Sequence, residues 1–468
     1  MKLVHSVCFV YLVDLVHLMS LRQPNKLNKP NRPNKQPRLA GIFSLLLVVL
    51  IMGIAGTAQA QYGGNCRASA SPSRVPGTGF FEVVPSICVA ERYDSNVFFR
   101  PPTPGLQRDD FVTNVTTVFR VSFNGKYASV VLDAGGFGET YIRNPGLNYL
   151  GTNDRLSLNL DNTIKRWLPN ASLRVTDTFS YTPLPPGFVN PVAGTSPGAP
   201  GNIQDVYAQG IMGFRTNNLR NIGTVLASYA TTPLTSLNAS YSYGILRFGS
   251  STSTAGVDPN LSPAPTNLFN STIQTGTVGG TARVSELDTL NVNYSHVQSE
   301  FTRSSISSFF KTDSATIGWS RTLTPNIRAE IGGGGILISP GLITYAANAA
   351  MTMNFQNSSA TISYVRSAFP SMVNSGQPLI GDRFSLSAIQ KIDQKWQLTQ
   401  TANYMHSTGT GGLDFNTYFA SAGLNYWMTS IWSTSLSYDY TKYNSQFGST
   451  TNDFDRHVIM FSVNASWG

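Results

Sequence analysis

Charge is what this sequence has least of. Charged residues fill 12% of its 468 positions, about half the share usual in a soluble protein. An exterior wholly in water would carry more, so the shortage points to an exterior partly out of water. Long apolar runs are also missing: beyond residue 60 no stretch of 18 apolar residues occurs, so any membrane crossing there must be made by strands. Histidine is sparse, and only His296, His406 and His457 lie beyond the leader, none at metal-ligand spacing from another His, Cys or acid. The net charge of +9 comes mostly from the leader: residues 1–60 hold seven Lys/Arg against one acid, and without them an excess of nine falls to three. That removes the basis for a nucleic-acid partner.

The leader reads as targeting. "RLAGIFSLLLVVLIMGIAGTAQAQ" has a basic flank, an apolar core from Ile42 to Ile54, and the small-residue site Ala58-Gln59-Ala60. This is the order of a secretory signal, with cleavage expected before Gln61. The earlier patch, "MKLVHSVCFVYLVDLVHLMS", is interrupted by Asp14, and Met19 is the more natural start. No lipobox cysteine follows the cleavage site. Cys66 and Cys88 remain, and the sequence is equally compatible with a pair and with two free thiols. Residues 61–82 are Gly/Ser/Pro-rich and read as a flexible periplasmic lead-in.

From 83 to 468 the chain alternates. In "LNYWMTSIWSTSLSYDY", Trp432, Thr434, Leu436, Tyr438 and Tyr440 share one parity, while Ser433, Ser435, Ser437 and Asp439 share the other. Period two over such lengths means strands with one oily and one wet face, longer than soluble strands and suited to a tilted membrane crossing. Two kinds of connection alternate. Short ones are 124–126, 167–171, 231–235, 285–288, 322–326, 355–359, 391–395 and 427–430. The others, mostly longer, are 100–110, 143–153, 183–217, 249–271, 302–310, 370–381, 408–413 and 444–453, with "SPG" at 339–341 a short exception. Short turns at one end and long loops at the other are the signature of an outer-membrane barrel. The expected fold is therefore all-β, a transmembrane antiparallel up-and-down β-barrel of about 18 strands. Reading "VYAQGIMGFRTNN" (206–218) as wall rather than loop would alter the count, within a range of roughly 16–20.

In such a barrel the oily face meets lipid, and Ser, Thr, Asn, Gln and Gly line the interior. Trp167, Tyr229, Trp319, Trp396, Tyr426, Trp427 and Trp432 stand beside short turns and are expected to form the periplasmic aromatic girdle. Arg92, Arg120, Arg328 and Glu330 are placed inward as lumen charges, because Arg facing lipid costs about 2–4 kcal/mol at the midplane. The chain ends near Phe461 and Trp467, a terminal pattern on which outer-membrane assembly machinery docks. "DFDRHV" gathers Asp453, Asp455 and His457 near one strand mouth, and the glycine runs at 135–138 and 331–336 lack the Lys-Ser/Thr of a phosphate loop. No catalytic residue, metal or cofactor is expected.

The first strand region, "VAERYDSNVFFRPPTPGLQRDDFVTNVTTVFRVSF", with Tyr93, Asp94, Asn96, Val97 and Phe98, resembles a family of outer-membrane β-barrel proteins. Its members are often encoded among exopolysaccharide export and assembly genes. "TNNLRNIGTVLASYATTPLTSLNASYSYGILRF" and the later Leu323-Thr324-Pro325 fit the same pattern, while Ser95 replaces a frequent acid. The resemblance implies a porin-like channel in the bacterial outer membrane passing polar solutes or a growing polysaccharide. The competing expectation is a surface adhesion or scaffold barrel with a plugged lumen.

Overall fold

An alternating strand leaves backbone donors and acceptors on both edges, and in hydrocarbon every one must be paired, so the ribbon has to close. It does. The computed structural model describes residues 81–99, 101–102, 107–182, 217–249, 269–303, 306–370, 378–409, 412–447 and 450–467. They form β1 (Phe81–Asp94), β2 (Asp110–Asn124), β3 (Ser129–Tyr141), β4 (Tyr149–Asn159), β5 (Ala171–Thr182), β6 (Asn218–Thr232), β7 (Thr235–Phe248), β8 (Asn270–Arg283), β9 (Asp288–Arg303), β10 (Ile306–Thr324), β11 (Ile327–Ile338), β12 (Leu342–Asn354), β13 (Ser358–Pro370), β14 (Pro378–Lys391), β15 (Trp396–Gly409), β16 (Leu413–Trp427), β17 (Trp432–Phe447) and β18 (Thr450–Ser466). Each strand pairs antiparallel with its sequence neighbours, and β1 pairs with β18, closing an 18-stranded sheet. Segments 1–80 and 183–216, with Ala58, Ala60, Gln61 and most of 206–218, lie outside the described residues.

All eight expected short turns sit at one end of the wall, with the start of β1 and the end of β18. Several are built by a Ser, Thr or Asp accepting from backbone two and three residues on. Asp393 Oδ1 accepts from Lys395 N at 2.6 Å and Trp396 N at 2.8 Å, and Thr429 Oγ1 accepts from Ile431 N at 3.1 Å and Trp432 N at 3.0 Å. One turn differs from expectation. β4 stops at Asn159, and a one-turn helix α1 (Asp161–Ile164) precedes "WLPNA", so this connection is twice the expected length. Asp161 ties it down, its Oδ1 accepting from Leu173 N at 2.9 Å.

The opposite end needs a larger correction. The expected loops 302–310 and 444–453 are mostly strand: β9 reaches Arg303 and β10 starts at Ile306, while β17 reaches Phe447 and β18 starts at Thr450. Loop 408–413 shortens likewise, and β4 begins at Tyr149 inside the expected 143–153. The cause is packing: Phe301 and Phe310 in the first hairpin, and Tyr443 and Phe454 in the second, bury inward, which rewards continued pairing.

The register separates two faces around the ring, with Leu226 an exposed apolar residue on the inner one. Exposed Phe119, Tyr241, Val292, Ile331, Leu386, Leu436 and Ile459 all lie on one parity. An exposed apolar stripe on most strands, β3 and β5 excepted, is the lipid face of a membrane barrel. Carboxylates of outer parity interrupt it, among them Glu91, Asp154 and Asp177. Asp154 Oδ1 accepts from Gly135 N at 3.0 Å, and Asp177 Oδ1 accepts from Asn221 Nδ2 at 2.9 Å.

Candidate functional site: the inner wall

The end with the short turns defines the wall's lower edge. Trp396 stacks on Tyr426 at 4.4 Å between ring centres, and Trp319 Nε1 donates to Asp288 Oδ1 at 3.0 Å. Tyr229 and Trp432 also point outward, and Trp167 is exposed in the β4–β5 connection. Trp427 does not join them: it pairs with Ser433 and so has the inner parity. The alternation slips because Trp427 is the last paired residue before the turn, where two adjacent aromatics must face opposite ways. Nearby, the Arg166 guanidinium bonds the Tyr127 hydroxyl and, with Lys126, holds its pKa below the usual tyrosine range.

A second girdle, not anticipated, marks the upper edge. Tyr294 donates to Asp313 at 2.5 Å beside His296, and Tyr364 donates to Asp382 at 2.6 Å beside Arg366. Tyr404 donates to Asn416 at 3.1 Å, with His406 Nδ1 3.0 Å from the same oxygen. Tyr438 lies 2.9 Å from His457 Nδ1. Trp396 and His406 are ten residues apart on β15, which on a tilted strand spans roughly 25 Å, the height of a lipid-facing band. His296, His406 and His457 thus face outward, as do Asp453 and Asp455 by parity. Among the described residues no group of three His, Cys, Asp or Glu is placed to hold a metal.

Inside, the wall is divided by height. Toward the upper end it is apolar and buried. Ile222, Leu246, Ile273, Phe301, Phe310, Ile336 and Ile338 form one cluster with Phe269. Phe369, Leu379, Leu413, Phe415, Tyr443 and Phe454 form another with Phe99, and Val97, Phe98, Val112, Tyr141 and Leu147 a third. This departs from the expected polar interior: the lower strands keep the expected faces, while above them the inner face is apolar and the outer one polar, with His296, Glu300 and Asp313 outward. Below, the inner parity is Ser, Thr, Asn and Gly on most strands, for example Asn238 and Ser240 on β7, Asn291 and Asn293 on β9, and Thr399 and Thr401 on β15. These side chains are at least partly solvent-accessible.

The expected lumen charges Arg92, Arg120, Arg328 and Glu330 all have the inner parity. Arg92 is 3% exposed and spent in a closed network. Its Nη1 and Nη2 donate to Glu139 at 3.0 Å each, and its Nε lies 3.8 Å from Asp94. Arg120 forks onto Asp133 at 2.6 and 3.1 Å. Arg328 donates to Ser320 at 2.8 Å, and Glu330 is buried beside it on the same strand.

The motif Tyr93 to Phe98 sits at the seam. Arg456 of β18 donates to both Asp94 oxygens, Nε at 2.9 Å. Ser95 N donates to His457 O at 2.9 Å, and His457 N returns a bond to Ser95 Oγ at 2.8 Å. Asn96 Nδ2 donates to Asp455 O at 3.2 Å. Val97 and Phe98 then turn inward, and Phe99, at φ 56°, lies under the Arg456 guanidinium at 4.7 Å. The motif stitches the first strand to the last. Ser95 accepts through its hydroxyl, and Tyr93 points outward against Phe111.

Cys88 is inner-facing, fully buried and disulfide-bonded, its partner lying outside the described residues. Phe461 faces outward, and Trp467 N donates to Pro85 O at 3.0 Å, fastening the end of the chain to β1. Sequence reasoning missed Glu139, Asp94 and Arg456 as one network, and also Asp133, Arg155 and Arg174 on the inner wall. Strand parity was the available signal for all of them.

No family model matches this sequence, and no curated protein does. Solved outer-membrane proteins resemble it. OpdK of Pseudomonas aeruginosa aligns at 11% identity and TM-score 0.43 over 82% of this chain and 99% of its own. OccK5 (OpdH) of the same organism aligns at 11% and 0.41 over 83% and 99%, and its siderophore receptor PirA at 10% and 0.41 over 83% and 80%. The barrel assignment rests on the strand pairing and the exposed apolar stripe.

Proposed function

We propose that this chain is a bacterial outer-membrane channel for polar solutes. The observation that carries the reading is a closed ring of 18 strands whose lower inner wall is hydroxyl- and amide-lined and reached by solvent. Barrels of this strand number enclose water unless filled. An uncharged lining of Ser, Thr and Asn offers paired donors and acceptors to sugar hydroxyls. That lining and the family resemblance support the more specific role, a component of exopolysaccharide export. Its partners would be outer-membrane lipid around the apolar stripe, the barrel assembly machinery at the Phe461–Trp467 end, and polysaccharide or small polar solutes within. No enzymatic role is assigned.

A second reading has its own support. The apolar side chains buried inside the upper end favour a scaffold or adhesion barrel with a plugged lumen. Planar-bilayer recording separates the two. The channel reading expects stepwise ion current from folded protein, and silence from heat-modifiable, correctly folded material would favour the scaffold. Surface-polysaccharide export in a deletion strain tests the specific role.

A further inference from the structure

We propose that Arg155 and Arg174 form an anion-binding stripe on one side of the lower lumen, and that the pore favours anionic polar solutes, carboxylate-bearing sugars above all. The inference rests on the channel reading and adds the solute class. Register places Arg120, Asp133 and Arg155 directly opposite one another on β2, β3 and β4, all with the inner parity. Adjacent strands lie about 4.8 Å apart, so the two arginines flank one carboxylate. Asp133 is already committed: Arg120 occupies both of its oxygens. Arg155 is exposed and makes no ion pair among the described residues. Arg174, on β5 with the same parity, has a 62% exposed side chain and only a 4.0 Å approach to Asp161.

The rest of the lower wall sharpens the asymmetry. β7, β9, β12, β13, β15 and β16 place no charged residue on the inner parity below the apolar ring. Of the other inner charges of the lower wall, Arg328 and Glu330 share β11, Asp439 on β17 accepts from Ser421 at 2.5 Å, Arg283 and Lys391 end β8 and β14, and Glu82 on β1 accepts from Ser122 at 3.3 Å. An excess of cationic side chains, with Arg155 and Arg174 adjacent on one side of a mostly hydroxyl- and amide-lined wall, gives the lumen a net field that enriches anions, strengthened by low-dielectric surroundings. Guanidinium forks match carboxylates bidentately, while the facing hydroxyls and amides suit the remainder of a sugar acid.

The test is reversal potential across a bilayer under a KCl gradient, for the full chain and for Arg155→Gln/Arg174→Gln, each confirmed folded by heat-modifiable migration. Chloride preference in the wild type, lost in the double variant at unchanged conductance, is expected. Galacturonate should block the wild-type current, galactose should not, and the double variant should escape the block. Cation preference, or a preference untouched by the double substitution, overturns the stripe while leaving the channel standing. A silent protein overturns the channel instead. Saturation-transfer NMR with galacturonate on detergent-solubilised protein then decides the stripe alone: binding lost in the double variant supports it, and no binding or unaltered binding ends it.

Discussion

Arg456 holds its charge between a carboxylate and an aromatic ring, and nearly all of it is out of water. With Arg92, Asp94 and Glu139 it makes a buried set of two cations and two anions. Such sets are neutral as a whole and costly to break singly, because one uncompensated charge then stays buried. Asp94→Asn should therefore destabilise the folded barrel by about 3–5 kcal/mol, read as a shift in the urea midpoint in detergent. Adding Arg456→Gln should cost less than the two single losses combined, since the second substitution removes the stranded charge. Additive losses would mean that the pair is uncoupled. The sequence displayed Asp94 in a recognisable motif but not its partner, which lies 362 positions away. A local motif cannot announce a contact created by ring closure. Phe99 belongs to the same latch: a bulky residue at positive φ costs on the order of 1–3 kcal/mol, and the ring contacts with Arg456 and Phe454 hold it there.

At the scale of strands, alternation was legible wherever the two faces differ in polarity. In the lower part of β15, Thr399, Thr401 and Asn403 oppose Leu398, Ala402 and Tyr404, and the structure keeps that division. It failed toward the upper end, where Leu246 and Phe248 face inward and Arg247 outward, because the interior there packs the apolar side chains that lipid selects below. The upper apolar ring and the extended hairpins were hidden for that reason. Trp427 was missed for a related one, since aromatic clustering reports height along the wall but not side. The parity itself is testable at neighbouring positions. Ala402 lies outward between Leu386 and Ala420, six residues above Trp396 and roughly 15 Å up a tilted strand. Thr401 lies inward between Ser387 and Ser421. Ala402→Arg should cost about 2–4 kcal/mol of folding free energy in bilayers, the midplane value for a lipid-facing Arg. Thr401→Arg should stay within about 0.5 kcal/mol, as an exposed substitution does. Equal effects would refute the assignment of faces.

For the whole molecule, an even number of strands with neighbour-to-neighbour pairing forces both ends of the wall to one side, and Ser86 opposite Ser466 shows them meeting there. Outer-membrane barrels keep their short turns in the periplasm and their longer loops at the cell surface, so the predicted orientation puts this end in the periplasm. Strand β11 offers the cleanest check, because its two ends carry equally short turns, Pro325–Asn326 below and Ser339–Gly341 above. Loop length therefore cannot bias access. A polyethylene-glycol maleimide too large for the lumen should label Ser339→Cys on intact cells and leave Asn326→Cys unlabelled until the outer membrane is permeabilised. The wild-type protein supplies the background, with Cys88 already in a disulfide. The opposite labelling pattern would invert the barrel, placing the apolar ring at the periplasmic mouth and the arginine stripe beneath the cell surface. In that orientation a solute moving outward would meet the apolar ring first and the proposed stripe last, so the labelling also decides at which end of the proposed channel the stripe stands.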